Sequence, residues 1–133
     1  MATKKYQTIP TINENKRKRS EYVATVWNVP DTPLIVNISP GHEDDDKPYY
    51  VISHKHTGYA ILPCGRMTLK SSMEAAKVFF THCPAPIKVL LQDPNMDAET
   101  MQKHIDPIMK NKRNKTDFNL ARQLALNTLK SAR

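Results

Sequence analysis

Between Tyr22 and Leu62 the chain alternates short β-branched and aromatic runs with turn-forming residues, and this pattern confines its first half to a sheet. The first run is Tyr22-Val23-Ala24-Thr25-Val26-Trp27, stopped at Pro30-Asp31. Leu34-Ile35-Val36-Asn37-Ile38 follows, with Leu34, Val36 and Ile38 on one face and Pro40-Gly41 as its stop. Pro30 and Pro33 flank a short connection, so these two strands are expected to pair as a hairpin. Tyr49 to His54 is the third strand. Lys55-His56-Thr57-Gly58 makes a turn in which Gly58 is free to take positive φ, and Tyr59 to Leu62 returns. Residues 22–62 thus read as a four-stranded antiparallel meander.

The second half switches to helical spacing. Ser71 and Glu74 stand at capping-box separation, and Met73, Ala76, Phe80 and Cys83 recur behind them until Pro84 and Pro86. Ile87 to Leu91 reads as a fifth strand ending at Asp93-Pro94. Asp97 reads as the cap of a second helix, with Met96 and Met101 at the positions of a hydrophobic staple. Asp106-Pro107 marks the end of that helix or the start of a new turn. The polar run from Lys110 to Lys115 reads as a loop, with Thr116 or Asp117 capping a final amphipathic helix over 116–133. Its apolar face is Phe118, Ala121, Leu124, Ala125, Leu129 and Ala132, and Arg122, Lys130, Arg133 and Leu126 lie on the other side. The expected fold is α+β: an antiparallel meander of about four to five strands packed on two to three helices.

Residues 1–20 have few large apolar groups and are expected to be a basic flexible tail, leaving 21–133 as the single domain. A chain of 133 residues buries about two-thirds of its unfolded surface and needs neither metal nor disulfide to fold. No apolar run approaches the roughly 20 residues of a membrane span, and no apolar stretch follows the first lysines as a secretory signal requires. Cys64 and Cys83 are expected to be free thiols in a reducing, intracellular compartment, cytoplasm or nucleoid or nucleus.

Charge is the main functional clue. The net charge of +7 is unevenly placed. Residues 1–20 carry Lys4, Lys5, Lys16, Arg17, Lys18 and Arg19 against Glu14 alone. Residues 110–133 carry Lys110, Lys112, Arg113, Lys115, Arg122, Lys130 and Arg133 against Asp117 alone. The body between them is net acidic. Two basic ends on an acidic body are the electrostatic footprint of a protein that meets a polyanion.

Other chemistry has less support. His54, His56, Cys64, His82 and Cys83 contain no CxxC or HxxxH pair, so no metal site is expected from them. Glu43 to Asp46 lacks the alternation of a calcium loop. Ser53 and His54 are adjacent on a strand and point to opposite faces, a poor catalytic pair. Three glycines in all leave no GxGxxG or phosphate loop, so neither an enzyme nor a cofactor is expected. Trp27, Tyr22, Tyr49, Tyr50 and Tyr59 fall on strands, where aromatics either fill a core or stack on bases.

The sequence therefore points to a small non-enzymatic accessory protein that binds DNA or RNA backbone. The residues assigned to phosphate are Lys16, Arg17, Lys18, Arg19, Lys112, Arg113, Lys115, Arg122 and Lys130. The alternative is a protein-interaction module, a regulator, inhibitor or assembly subunit whose basic ends meet an acidic partner or a sister subunit.

Overall fold

The alternating runs of the first half pair in chain order. The computed structural model describes residues 4–12, 19–39, 46, 48–58 and 60–131, with side chains from Val26 onward except Ala98. Strands β1 (Lys4–Ile12), β2 (Arg19–Asn28), β3 (Leu34–Ile38), β4 (Tyr50–His54) and β5 (Ala60–Gly65) form one antiparallel sheet in the order β1-β2-β3-β4-β5. Helices α1 (Leu69–His82), α2 (Ala85–Gln92), α3 (Ala98–Lys110) and α4 (Lys112–Ser131) follow, which makes the chain an α+β protein.

The turns are held by local chemistry. Between β2 and β3, Thr32 Oγ1 donates to the Val29 carbonyl at 3.0 Å and accepts from Leu34 N–H at 3.1 Å. Asp31 takes φ 62° there, a conformation short polar side chains tolerate. Between β4 and β5, Gly58 takes φ 72° and its N–H reaches the His54 carbonyl at 2.8 Å.

The register aligns Trp27, Val36, Ile52 and Leu62 across β2 to β5. Val36, Ile52 and Leu62 join Leu34 and Cys64 in one buried cluster with Ala75, Ala76 and Phe79 of α1 and Ala121, Ala125 and Leu129 of α4. Alanine on both helices lets them approach closely, and their mutual contact is the most extensive between helices. Phe79 and Phe118 meet edge to face at 5.6 Å. The other sheet face holds Ile35, Asn37, Val51 and Ser53, also buried. There Ser53 Oγ donates to Asn37 Oδ1 at 2.7 Å.

Several expectations need correction. Residues 87–91 are not a strand but part of α2, in which Ile87 and Leu91 are buried one turn apart. The first helix does stop before Pro84, at His82 with Cys83 as its C-cap, but Pro84 is also the N-cap of α2 and Pro86 falls in its first turn, so the prolines open a second helix as well. The cap of α1 is Thr68, which accepts from Ser71 N–H at 3.1 Å, and not Ser71 itself. Asp97 does cap α3, accepting from Thr100 N–H at 2.7 Å, and Met96 and Met101 are both buried beside it. Pro107, however, lies inside α3. Ile105 and Ile108 pack against the core on either side of it, and that packing carries the helix past the missing N–H. The run from Lys112 to Lys115 is the first turn of α4, so the last helix starts at Lys112 rather than near Thr116. Finally, β1 and the first residue pairs of β2 fall inside the span that composition assigns to a tail, paired from Lys4–Trp27 to Ile12–Arg19.

Phe79 is fully buried at the junction of sheet, α1 and α4. Phe79→Ala is expected to destabilise the fold by about 3–5 kcal/mol. Val89→Ala, at a side chain 67% exposed on α2, is expected to stay within about 0.5 kcal/mol. Urea unfolding of the two variants checks both values.

Candidate nucleic-acid interface

A single residue separates the last two helices. Asn111 ends α3, its N–H bonding to the Ile108 carbonyl at 3.2 Å. Its side-chain Oδ1 then accepts from Asn114 N–H at 3.1 Å, as an N-cap does for α4. Its carbonyl receives Lys115 N–H at 3.0 Å, the first regular bond of the new helix.

This tight corner gathers Lys110, Lys112, Arg113 and Lys115, all exposed, within about one and a half helical turns. Lys110 lies in the last turn of α3, where a cation suits the helix dipole. The other three lie in the first turn of α4, where it does not, and that turn contains no acidic residue. Asp117 sits 4.0 Å from Arg113 Nε, a long pair in which both side chains are well exposed and which solvent screens. The corner is a concentrated positive field at a helix N-terminus.

The remaining residues assigned to phosphate are distributed differently. Lys130 is exposed near the far end of α4, about 27 Å along the axis from Lys112. Arg122 is half-buried, and its Nε is enclosed with no hydrogen-bond partner among the described residues. It lies at the border of the packed face and does not join the exposed cluster. Arg19 opens β2, with its side chain outside the described residues, and Lys16, Arg17 and Lys18 lie outside them altogether. Lys110, at the end of α3, joins the cluster although the sequence alone did not assign it to phosphate. The Asn111-to-Asn114 capping spacing was the available signal.

The other candidate residues are placed as follows. His54 is fully buried on β4. Its Nε2 lies 2.7 Å from the Leu91 carbonyl, which can only accept, so the proton sits on Nε2. Nδ1 then accepts from Thr57 Oγ1 at 2.9 Å. The ring ties the β4–β5 turn to the end of α2. His56 stands edge-on to it at 5.4 Å. Burial pushes the Cys64 thiol up to about 11 and the Cys83 thiol up to about 12, so both are neutral near pH 7. They are free cysteines. His82 is exposed. Among the described residues no group of three or more His, Cys, Asp or Glu is placed to hold a metal.

Ser53 is bonded to Asn37 across the sheet from the His54 side. Asp46 is exposed, while Glu43, Asp44 and Asp45 lie outside the described residues. Trp27 is buried, and half-buried Tyr50 meets it edge to face at 5.8 Å, so Trp27 offers no open stacking platform. The side chains of Tyr22 and Tyr59 lie outside the described residues. An open cleft of about 420 Å³ lies between Asp31, Thr32, Pro33, Lys55, His56 and Gln92.

Set against protein-family models, curated proteins and solved structures, the chain matches none. No described helix is long and apolar enough to cross a membrane.

The buried imidazole carries a pH dependence. Desolvation lowers the His54 pKa from 6.5 to about 4, with a smaller contribution from the charge of His56, against an opposing contribution from its bond to Leu91. Its stabilisation is complete above about pH 6.5, and it is lost as pH falls toward 4 because the unfolded chain takes the proton first. The loss is expected to approach about 3 kcal/mol. Urea midpoints measured from pH 7 to pH 4 check this, and His54→Gln is expected to be less stable at pH 7 with a flatter profile.

Proposed function

We propose that the protein is a non-enzymatic accessory protein that binds the phosphate backbone of nucleic acid through the α3–α4 corner. One observation carries the reading: Lys110, Lys112, Arg113 and Lys115 crowd exposed around the N-terminus of α4 with Asp117 as the one carboxylate beside them in that run. Backbone N–H groups and cations converging at a helix start recognise phosphate oxygens by charge and hydrogen bonding, without reading a base. Lys130 extends the positive track along α4. The basic run Lys16 to Arg19 adds a second phosphate contact in this reading, and Arg122 contributes charge from the border of the helix. The protein works in an intracellular compartment, a setting its two neutral buried thiols suit.

Fluorescence anisotropy of the full chain on labelled duplexes and single strands, across a salt series, tests the reading. Log affinity is expected to fall with log salt by about 0.9 for each phosphate contacted on duplex DNA. Replacing Lys112, Arg113 and Lys115 together by alanine is expected to flatten that slope by roughly 2.7 and to weaken binding to every sequence alike. Absence of binding by the unaltered chain at 50 mM salt overturns the reading and leaves the basic ends to an acidic protein partner or a sister subunit.

A further inference from the structure

The outward face of α4 carries more than charge. Asn119, Gln123 and Asn127 recur every four residues, and all three are exposed. They form one line along the helix, with Lys112 before it and Lys130 after it. Leu120, 53% exposed, lies beside the line. Asp117, the one acid of α4, is turned away from it by roughly a third of a turn.

Helix support accounts for only part of this composition: glutamine is a good helix former and the Gln123–Asn127 pair bonds across one turn. Asparagine is a poor helix former, and exposed mid-helix positions are the ones where strong formers cost nothing in packing. The buried side already satisfies the fold through Ala121, Ala125 and Leu129. Nor does the line suit a protein partner, because Leu120 is its one apolar side chain and no aromatic anchor accompanies it.

We infer that this face of α4 reads base edges in the major groove of duplex DNA, with Asn119, Gln123 and Asn127 on adenines and Leu120 against thymine methyl groups. The inference rests on the phosphate-binding reading above and adds sequence recognition to it. Asparagine and glutamine amides match the adjacent donor and acceptor that adenine presents in the major groove, and an apolar side chain matches the thymine methyl. Successive amides are about 6 Å apart along the axis, close to two base steps of about 3.4 Å. From Asn119 to Asn127 the line spans about 12 Å, enough for four or five base pairs. Gln123 Nε2 donates to Asn127 Oδ1 at 3.0 Å. That bond holds the two side by side and leaves a Gln123 carbonyl acceptor next to an Asn127 amide donor. A helix fits the major groove of B-form DNA, about 12 Å wide, whereas the deep narrow groove of duplex RNA excludes it. The partner is therefore duplex DNA, and the lysines at the two ends of the line meet its phosphates.

Selection from a randomised duplex library by the full chain, followed by anisotropy on the enriched and scrambled duplexes at one salt concentration, is the test. The expected result is an A·T-containing motif of four or five base pairs bound at least tenfold tighter than the scrambled duplex. Asn119→Ala and Gln123→Ala are each expected to reduce discrimination at one position of that motif by about five- to 150-fold. Both are expected to leave affinity for the scrambled duplex unchanged, and unchanged melting curves confirm that the exposed substitutions spare the fold. Equal binding to every duplex, or a motif that survives replacement of all three amides by alanine, overturns this inference and leaves the phosphate reading standing. Failure to bind any nucleic acid overturns both.

Discussion

The edge-to-face contact of Phe79 with Phe118 fixes the relation of the first long helix to the last. Which face of α4 is left open depends on it. The contact belongs to a cluster in which small residues on both helices close the gap and larger ones from β3, β4 and β5 fill the floor. Once Ala121, Ala125 and Leu129 are committed to that cluster, the 3.6-residue period leaves Lys112, Asn119, Gln123, Asn127 and Lys130 on the outside. The polar face is a geometric consequence of the buried one.

A second tie works at the opposite end of the sheet. His54 links the β4–β5 turn to the last turn of α2 through one ring with both nitrogens engaged. Both ring nitrogens of His54 are thus used within the fold. A neutral imidazole with one donor and one acceptor in use has no capacity left for a ligand. The same logic applies to Ser53, whose hydroxyl is committed to Asn37, and to two thiols whose burial keeps them protonated.

The period-2 runs from Val26 to Leu62 were legible because alternation, β-branching and turn residues all agree there. Asp97 with Met96 and Met101 was legible for the same reason, since cap and staple are local devices. Residues 87–91 were not, because a short apolar run has no period long enough to separate strand from helix. The deciding feature lay upstream, in prolines that suit a first turn as well as they suit a stop. Pairing of β1 with β2 is a long-range gain of backbone hydrogen bonds that local composition does not register. For the candidate site the charges were legible and their scaffold was not. Lysine and arginine density reads as loop, yet both are good helix formers, and a capping asparagine was enough to keep 112–115 helical.

That helical first turn contains a local conflict. Lys112, Arg113 and Lys115 stand at the positive end of the α4 dipole, where carboxylates are the stabilising choice and none is present. Each such cation costs a few tenths of a kcal/mol or more at low ionic strength. Local choices that work against the fold concentrate at functional sites, because there the compensating interaction comes from outside the chain. An anion seated at the corner would supply that compensation by neutralising the side chains at the positive end of the helix. The same helix carries amides on its exposed face, of which Gln123 and Asn127 bond to each other across one turn. Basic residues at the wrong end are a departure from helix chemistry, and the amides add a polar open face beside them. A duplex, with phosphates at its rim and base edges in its groove, is the partner proposed for both features.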